Sequence, residues 1–447
     1  MHEEDNAGTK LFSCLTLCDI AILSVLLIFF SSLPSLIPST MLYIPIYQEA
    51  IAQAPTTAGS SSCINYDPSA RLITVTCTSA SLTDVYNSLN DPNILGIERQ
   101  RESSSSSGNL WLLNANLKIS QGATLYFNST DTTWLKIISD GTAAYGIDVH
   151  GSLKVDSVKI TSWDPETNYY AVTNGTRIPN GSGGYEVHVG ASRPFIKIEK
   201  DATGTTDITN SEIAYLGYEG GIGAAVTGLT YLGGDGSILR HNNLHDLYFG
   251  FYSSGVGGMI IENNHIYNNS KYGLDPHTGT HDMIIRSNVV NDNGGIGIIC
   301  SLDCYNITIE NNEVYNNVEP GIMFSRNMYN SIARNNYVHN EGIAIFVSRS
   351  HNNEIYNNTI SDSTNAIYVR YHSSNNSIHD NTMINSTNGI HADGTGAGNA
   401  FYSNKTSHAI QIATNVADSK TTNNNLSKDI KIIHSPPSSS PSLQNNS

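Results

Sequence analysis

The chain has 447 residues, a formal net charge of −16 at pH 7 and only 14% charged residues. This acidic balance argues against a nucleic-acid partner, because phosphate backbones are bound through clustered Lys and Arg. Abundant Asn, Ser, Thr and Gly beside 39% hydrophobic residues favour short strands and turns over helices. Any anionic ligand would require the few cations to be concentrated locally.

The N-terminal region contains one strongly apolar segment, from Leu11 to Ile37, with an uninterrupted core at Ile20 to Phe30. Its length suits a bilayer, which requires ~20 apolar residues. Acidic residues at the start are untypical of a cleaved signal, so a single-pass anchor is favoured over secretion after cleavage. We therefore expect a protein of the cell surface or extracellular space, divided into an anchor or signal segment (1–40), a linker and cap (41–110), a main domain (111–430) and a Ser/Pro/Asn-rich tail (431–447).

The cysteines also favour an exported protein. Cys63 and Cys77 flank a short strand-like run and are spaced to form a disulfide outside the cell. Cys300 and Cys304 share one loop, either as a bridge or as a free pair, and no matching His or Cys spacing supports a metal site there. No cofactor is predicted; Ca²⁺ would suit the acidic residues, but no Gly-Gly-x-Gly-x-Asp repeat supports it.

An internal repeat decides the fold class. An Asn-x-apolar step recurs at intervals of 21, 24, 24, 24, 22, 23 and 23 residues, at Asn243, Asn264, Asn288, Asn312, Asn336, Asn358, Asn381 and Asn404. A second landmark, a small residue before an apolar one, holds the same register at Gly250, Gly273, Gly297, Gly321, Ala344, Ala366 and Gly389. Two landmarks in one register indicate a structural unit of about 23 residues.

Each unit reads as three short strands separated by turns, and a unit of this size cannot bury its own apolar residues. The units must therefore stack, which predicts an all-β right-handed parallel β-helix with the asparagines in a ladder at one corner, where they tolerate left-handed backbone. The Leu-x-x-Leu-x-Leu frame of leucine-rich repeats is missing. Looser strand-like segments from Leu117 to Ile213 predict N-terminal coils, interrupted by an insertion around Asp164 to Val187.

The chemistry is expected on one outward face of this solenoid. Side chains in a strand alternate between its two faces, so the second and fourth residues after the small landmark residue lie on the same side. In one coil these two residues are Asp275 and His277. The same columns contain further polar residues, namely Tyr252, Ser254, Ser301, Ser325, Arg370 and Asp393. A histidine tuned near neutral pH, an aspartate that orients it and a tyrosine across the sugar ring suit acid-base work on a sugar acid.

The segment Tyr272-Gly-Leu-Asp-Pro-His277 resembles a signature of the mannuronan C5-epimerases of alginate biosynthesis. Thr161 to Asp164, Arg193 to Ile196 and Ser211 to Tyr218 are similar to segments of the periplasmic branch, so the resemblance runs from about Leu117 to Asn404. It implies that His277 is the catalytic base, Tyr272 a proton-transfer partner and Asp275 their support. It also implies that the C5 proton of a uronate is removed and another returned to the opposite face.

This reaction requires the uronate carboxylate to be neutralised, and here the sequence departs from the family. Leu302 occupies the position where the periplasmic branch has an arginine, Thr278 replaces an acid, and Ser301 stands where the secreted branch has an aspartate. Arg326 lies two coils from His277, a rise of ~10 Å, and is predicted to hold the carboxylate of a neighbouring sugar. The residues predicted to bind substrate are Arg326, Tyr252, Ser301, Asp303, Arg349 and Arg370, with Lys271 and His281 as weaker alternatives for the neutralising role.

Two further hypotheses remain open at this stage. One is a polysaccharide lyase, which shares proton abstraction but expels the group at C4; the other is a non-catalytic glycan-binding β-helix of the copper-insertion-accessory or adhesin kind. A second segment, Tyr145-Gly-Ile-Asp148-Val-His150, echoes the signature without its proline and is interpreted as structural. The expected partners are an acidic polysaccharide in the groove and a membrane at the N-terminus, with the protein a monomer.

Overall fold

A computed structural model describes residues 63–98, 108–139, 144–171, 177–179, 185–187, 193–219, 226–407, 410–413, 420–426 and 431–433. The apolar segment 11–37, the linker before residue 63 and the tail after residue 433 lie outside these ranges. Within the described ranges, no helix has the length and apolar content needed to cross a bilayer.

The described coils form a right-handed parallel β-helix of three long sheets, as the repeat predicts. Sheet A has 15 strands: Ile64–Asp67, Leu72–Val75, Asn116–Ile119, Gly146–Val149, Phe195–Ile198, Gly228–Tyr231, Phe249–Ser254, Leu274–His277, Ile298–Ser301, Ile322–Ser325, Ile343–Ser348, Asn365–Arg370, Asn388–Ala392, Ile410–Ala413 and Lys431–Ile433. All its neighbouring strands are parallel except the first pair, which is antiparallel.

The other two sheets follow sheet A in every coil. Sheet B has 13 strands: Ala80–Ser81, Thr124–Asn128, Ser152–Asp156, Thr206–Thr209, Ile238–Arg240, Ile260–Glu262, Ile284–Arg286, Thr308–Glu310, Ile332–Arg334, Glu354–Tyr356, Ser377–His379, Ala400–Tyr402 and Lys420–Thr422. Sheet C has 14: Leu95–Glu98, Asn109–Leu113, Thr132–Ile138, Lys159–Trp163, Glu212–Ala214, Asn243–His245, His265–Tyr267, Val289–Asn291, Glu313–Tyr315, Tyr337–His339, Thr359–Ser361, Thr382–Ile384, Lys405–Thr406 and Asn425–Leu426.

A short helix, Leu82–Leu89, packs at the N-terminal end of the solenoid and buries Leu82 and Val85. Ser81 caps it, because its hydroxyl accepts from the backbone N–H of Asp84 while the Asp84 carboxylate accepts from the backbone N–H of Ser81. A separate two-stranded hairpin, Arg177–Pro179 with Tyr185–Val187, falls inside the segment predicted as an insertion. It interrupts the coils between sheet C and sheet A.

Stacked columns of apolar side chains form the interior. One column of sheet A is fully or almost fully buried along the axis, and consists of Leu117, Ile147, Ile196, Leu229, Phe251, Leu274, Ile298, Ile322, Ile345, Ile367, Ile390 and Ile410. Each coil contributes one member, so no coil buries its apolar residues alone. The repeat therefore specifies a stack rather than an isolated domain.

The asparagine ladder predicted from the repeat is present, with two corrections. The first rung is Asn242 rather than Asn243, because the Asn242 backbone N–H and amide both donate to the side-chain oxygen of Asn264. The left-handed residue is the one before each rung, as at Asn263 and Asn311, since the rung needs its own backbone N–H aligned along the axis. The ladder continues through Asn264, Asn288, Asn312, Asn336, Asn358, Asn381 and Asn404.

A second ladder, between sheets C and A, has an unusual member. Asn269, Asn293 and Asn317 repeat the pattern, and Glu341 then takes the place of the next asparagine, with one oxygen accepting from Asn317. Burial raises the pKa of Glu341 to about 8, so this carboxyl is protonated at neutral pH.

The cysteines divide into two kinds. Cys63 and Cys77 form the predicted disulfide at the N-terminal end of the solenoid. Cys300 and Cys304 are free and buried in the interior of the coil that follows His277, which settles the open choice between a bridge and a free pair. The Cys304 thiol donates to the carbonyl of Ser301, so it stabilises the turn that leaves sheet A.

Candidate active site

The predicted site residues lie on the outward face of sheet A. In the register of the strands, Tyr252 lies beside Asp275, and Ser254 lies beside His277, which in turn pairs with Ser301. Ser301, Ser325, Ser348 and Arg370 continue this second column one coil at a time. Strand alternation thus places the two predicted columns side by side, as the small-residue landmark indicated.

His277 has a defined pair of neighbours. Its Nδ1 lies 2.6 Å from the Thr278 hydroxyl oxygen, and its Nε2 lies 3.2 Å from Nη2 of Arg326. A guanidinium has only donors, so Arg326 donates to Nε2, which must be the unprotonated nitrogen. Nδ1–H then donates to the Thr278 hydroxyl. The lone pair of Nε2 therefore points to the Arg326 side of the groove.

The contact of Arg326 with His277 corrects the expectation that two coils separate their chemistry. The backbones are two strands apart, but the Arg326 side chain turns back along the axis and its Nε donates to the Ser301 hydroxyl at 2.7 Å. Arg326 occupies the same corner as Leu302, one coil further on, because Ser301 and Ser325 are partners in register. The Arg326 guanidinium thus reaches the His277 ring from one coil beyond the position of Leu302.

Asp275 is enclosed although its strand position faces outward. It is 3% exposed, and its Oδ1 has no hydrogen-bond partner in the described part of the chain. Burial raises the pKa of Asp275 well above its usual range, while the positive charges of Arg326 and Lys271 act in the opposite direction. Burial therefore favours the protonated form of Asp275, and its Oδ1 is itself enclosed by the protein.

Two tyrosines border this carboxyl group. The Tyr252 ring lies 5.6 Å from the His277 ring, between centroids, and the Tyr272 ring lies 5.0 Å from that of Phe249. Burial, followed by the nearby Asp275, raises the pKa of both phenols, so both are protonated. The Nζ of Lys271 lies 5.5 Å from the centre of the Tyr272 ring, at the rim of the site.

The electrostatics keep His277 neutral. Burial, and secondly the charge of Arg326, lower its pKa to about 4. At neutral pH the imidazole is therefore unprotonated, as a base must be. His281, the weaker alternative, already has partners within the protein. The Asp282 carboxylate lies 2.7 Å from Nδ1 of His281, and the His281 ring stacks on that of Tyr305.

The remaining predicted residues fall into two groups. Ser301 is fully buried and acts through Arg326 rather than by facing the groove, whereas Asp303 is exposed and accepts from the side-chain amide of Asn327 at 2.5 Å. Arg349 and Arg370 lie further along the same face, where both guanidinium groups contact the Tyr371 ring. Ser301 and Asp303 are therefore less suited to direct sugar contact than the arginines.

One feature of this face was not recognised in the sequence. Within the described ranges, 35 non-glycine residues have positive φ, and only nine of them are other than Asn, Asp or Ser. Six of these nine lie in the corner that follows sheet A: Thr278, Leu302, Arg326, Arg349, Tyr371 and His372. Left-handed backbone is unfavourable for such residues, and strain of this kind concentrates at functional sites. We call these six residues the strained corner. The replacement of Asn by long side chains in one column is the sequence signal that identifies it.

The model of a protein family described as periplasmic copper-binding protein (NosD) matches residues 172–418, more than half of the chain. The chain belongs to the NosD family. A comparison with curated proteins finds no matching sequence.

Solved structures are similar to this NosD-family chain in fold. The periplasmic alginate epimerase AlgG has a TM-score of 0.64 at 17% identity, with 79% of this chain and 85% of that chain covered. A single-substitution mutant of AlgG has a TM-score of 0.61 at 15% identity, with 89% of this chain and 99% of that chain covered. At these identities the likeness is one of fold, and at that level it confirms the resemblance drawn from the sequence.

Proposed function

We propose that this protein is a C5-epimerase of an acidic polysaccharide, which converts mannuronate, or a similar uronate, to its C5 epimer. The observation that carries the proposal is the contact of a neutral, half-buried histidine, His277, with a guanidinium that has no carboxylate partner in the described part of the chain, Arg326. A uronate requires this pair, because its C5 proton becomes removable only when the carboxylate is neutralised.

In the first step, the uronate carboxylate draws the Arg326 guanidinium away from Nε2 of His277, and the freed lone pair takes the C5 proton. The electron pair of the C5–H bond moves into an enediolate that spans C5 and the carboxyl group. Arg326 stabilises the charge that develops on the carboxylate oxygens, and the buried Asp275 supports the site from beneath, beside Tyr252 in the register of the strands. Thr278 accepts from Nδ1–H and keeps the lone pair of Nε2 directed at the groove.

In the second step, a proton returns to the opposite face of C5. We assign this donor to Tyr272, whose raised pKa keeps the phenol protonated until it is needed. The enediolate pair forms the new C5–H bond, a tyrosinate remains, and exchange with solvent carries the proton from the His277 imidazolium to the tyrosinate. Tyr252 is less suited as the donor, because its ring already lies against His277 and leaves no room for a sugar between them.

The NosD family description names copper binding, and the described residues do not fit a copper site. They contain no cluster of three or more His, Cys, Asp or Glu side chains that could hold a metal. The two free thiols are poor ligands, since burial raises the pKa of Cys304 to about 12 and that of Cys300 well above its usual range, so the thiolates are disfavoured.

We also infer that the protein works outside the cytoplasm. The Cys63–Cys77 disulfide supports this location, because such bonds persist in oxidising compartments. The family description and the name of the similar AlgG structure both refer to the periplasm. An acidic polysaccharide is the partner that we propose for the groove.

The test is to incubate the full-length protein with polymannuronate and to record proton NMR spectra and ultraviolet absorbance, beside the His277→Ala variant. We expect new guluronate signals with no gain in absorbance, and no change with the variant. Unsaturated ends that absorb in the ultraviolet would establish a lyase instead. Equal product from wild type and variant would contradict the assignment of His277, and an unchanged polymer with wild type would contradict the proposed reaction on this substrate.

A further inference from the structure

The outward face of sheet A carries a second cluster of cations and rings beyond the active site. The Cζ atom of Arg349 lies 5.1 Å from the centre of the Tyr371 ring, and that of Arg370 lies 4.7 Å from it. Arg370 also lies 5.7 Å from the Tyr368 ring, which stacks on Phe346 at 5.3 Å. We call Arg349, Arg370, Tyr371 and Tyr368 the distal platform.

The arginines of the distal platform form fewer ion pairs with acidic residues than the arginines of sheet B do. Arg240 and Arg286 share Glu262, and Arg334 pairs with Glu310. Within the described ranges Arg349 has no ion pair with a carboxylate, as is also true of Arg326. Arg370 retains one ion pair, with Asp393. In a chain with a net charge of −16, unpaired arginines on one face create a local site for an anion.

The backbone under the distal platform is strained. Arg349 and Tyr371 belong to the strained corner, with φ of 50° and 55°, whereas the solenoid elsewhere uses mostly Asn, Asp or Ser at left-handed positions. An arginine or tyrosine there is less stable than an Asn, Asp or Gly, which tolerate this conformation. Tyr371 is also 40% exposed, so its ring does not gain stability from full burial.

We propose that the distal platform is a second subsite, which binds a uronate residue of the same polysaccharide chain that reacts at His277. The guanidinium of Arg349 would hold the carboxylate, and the exposed ring of Tyr371 would pack against a sugar ring. The identity of the ligand as a uronate rests on the proposed function, and the added claim is that one polysaccharide chain occupies both sites.

The spacing sets a minimum substrate length. Arg349 is three coils and Tyr371 four coils from His277, a distance of ~14 to 19 Å along the axis. A chain that runs parallel to the axis must therefore extend over several sugar residues to reach both sites. Short oligouronates would bind at one site only, and longer ones would gain affinity from both.

The experiment is calorimetric titration of the full-length protein with oligomannuronates of increasing defined length. The variants are Arg349→Ala and Tyr371→Asn, and the matched control is Tyr337→Ala, a residue of sheet C that is 42% exposed against 40% for Tyr371. We expect wild-type affinity to rise with length until both sites are spanned. Each variant should lose about tenfold for the long oligomers and nothing for the shortest, and the control should match wild type.

A melting-temperature measurement separates this role from a structural one. Tyr371→Asn places a residue that tolerates φ near 55° in the strained corner, so we expect its melting temperature to equal or exceed that of wild type while long-chain affinity falls. An unchanged affinity for long oligomers, or an equal loss for short ones, would overturn the distal subsite. Length-dependent binding without any epimerised product would instead retain the subsite and contradict the proposed reaction.

Discussion

Two segments of this chain share the pattern Tyr-Gly-Ile/Leu-Asp-x-His and the same face of sheet A. The register places Asp148 and Asp275 in one outward column, four coils apart. In the first segment, Asp148 lies 3.4 Å from Lys197 and His150 lies 2.6 Å from Asp201. In the second, Asp275 has no ion pair in the described part of the chain, and His277 meets Arg326. Among the described residues, Oδ1 of each aspartate is buried without a hydrogen-bond partner, so the two segments differ in their charged neighbours: both residues of the first can form an ion pair, whereas the histidine of the second lies beside a guanidinium.

The two segments thus have the same motif but different charged partners. Lys197 pairs with both Asp148 and Glu199, so its charge is consumed within the protein. Arg326 is directed at an imidazole, which cannot neutralise it. Only the second segment therefore offers both a base and an unpaired cation to an anionic sugar.

The largest expected effect separates the two histidines. His277→Ala should reduce epimerisation by about 10³-fold, because a positioned general base contributes 10² to 10⁴-fold. His150→Ala should leave the rate within about twofold of wild type. The measurement is initial rate on polymannuronate by NMR, and comparable losses in both variants would show that the two segments do not differ as the structure indicates.

Removal of the unpaired cation is expected to have the next largest effect. Arg326→Ala should lower kcat by about 10² to 10³-fold, the range seen when one charge-stabilising group is removed. Lys197→Ala removes the cation beside Asp148 in the first segment and should have little effect on kcat. Both variants are measured on the same polymer, with circular dichroism as a check of folding.

The position of the arginine can be tested by moving it. Leu302 shares the corner of Arg326 one coil nearer to His277, so Leu302→Arg combined with Arg326→Ala should recover part of the lost kcat. Leu302→Arg alone should not increase activity, because Arg326 already fills the site. Failure of the double variant to exceed Arg326→Ala would argue that the contact with Ser301 is also required.

The two aspartates should differ in their effect on stability. The folded-state pKa of Asp275 is raised by burial, so its stabilising contribution is complete below the unfolded pKa of ~3.9 and is lost as the pH rises through the higher folded value. Asp275→Asn should therefore raise the free energy of unfolding at pH 8 and change it little at pH 3. The measurement is urea unfolding at both pH values.

The control for that experiment is Asp148→Asn. Burial also raises the pKa of Asp148, but the opposing charge of Lys197 limits the shift, and the substitution breaks an ion pair. We expect a smaller gain at pH 8 than for Asp275→Asn. An equal gain would mean that the ion pair does not distinguish the two sites.

The smallest expected effect is a displacement of the pH profile. Because the pKa of His277 is about 4 in the free protein, kcat/KM should fall only below about pH 4. A bound carboxylate offsets the charge of Arg326, so the acidic limb of kcat should lie at higher pH than that of kcat/KM. Arg326→Ala should move the limb of kcat/KM upward, and coincident limbs in wild type would contradict this coupling.

The stack was predictable because its signal repeats. Eight asparagines and seven small residues in one register specify coils, sheets and outward columns without any knowledge of side-chain contacts. The error of one residue at Asn243 arose because two asparagines are adjacent there, and only the hydrogen bonds to Asn264 identify Asn242 as the rung.

The site was only partly predictable, because the repeat gives the rise between residues and not the direction of a side chain. Arg326 was placed ~10 Å from His277 by counting coils. Its left-handed backbone and the Ser301 hydroxyl turn the guanidinium back along the axis, which removes that separation. The burial of Asp275 also depends on neighbours from several coils, so its protonation state could not be read from its own strand.

Deuterium incorporation at C5 tests the central claim, that His277 and Arg326 together exchange the C5 proton of a uronate. Polymannuronate is incubated in deuterated water with wild type, His277→Ala, Arg326→Ala and His150→Ala, and deuterium at C5 is quantified by NMR. The account predicts label in new guluronate residues with wild type and His150→Ala, and almost none with the other two. Label that persists in either His277→Ala or Arg326→Ala at the wild-type level would contradict it.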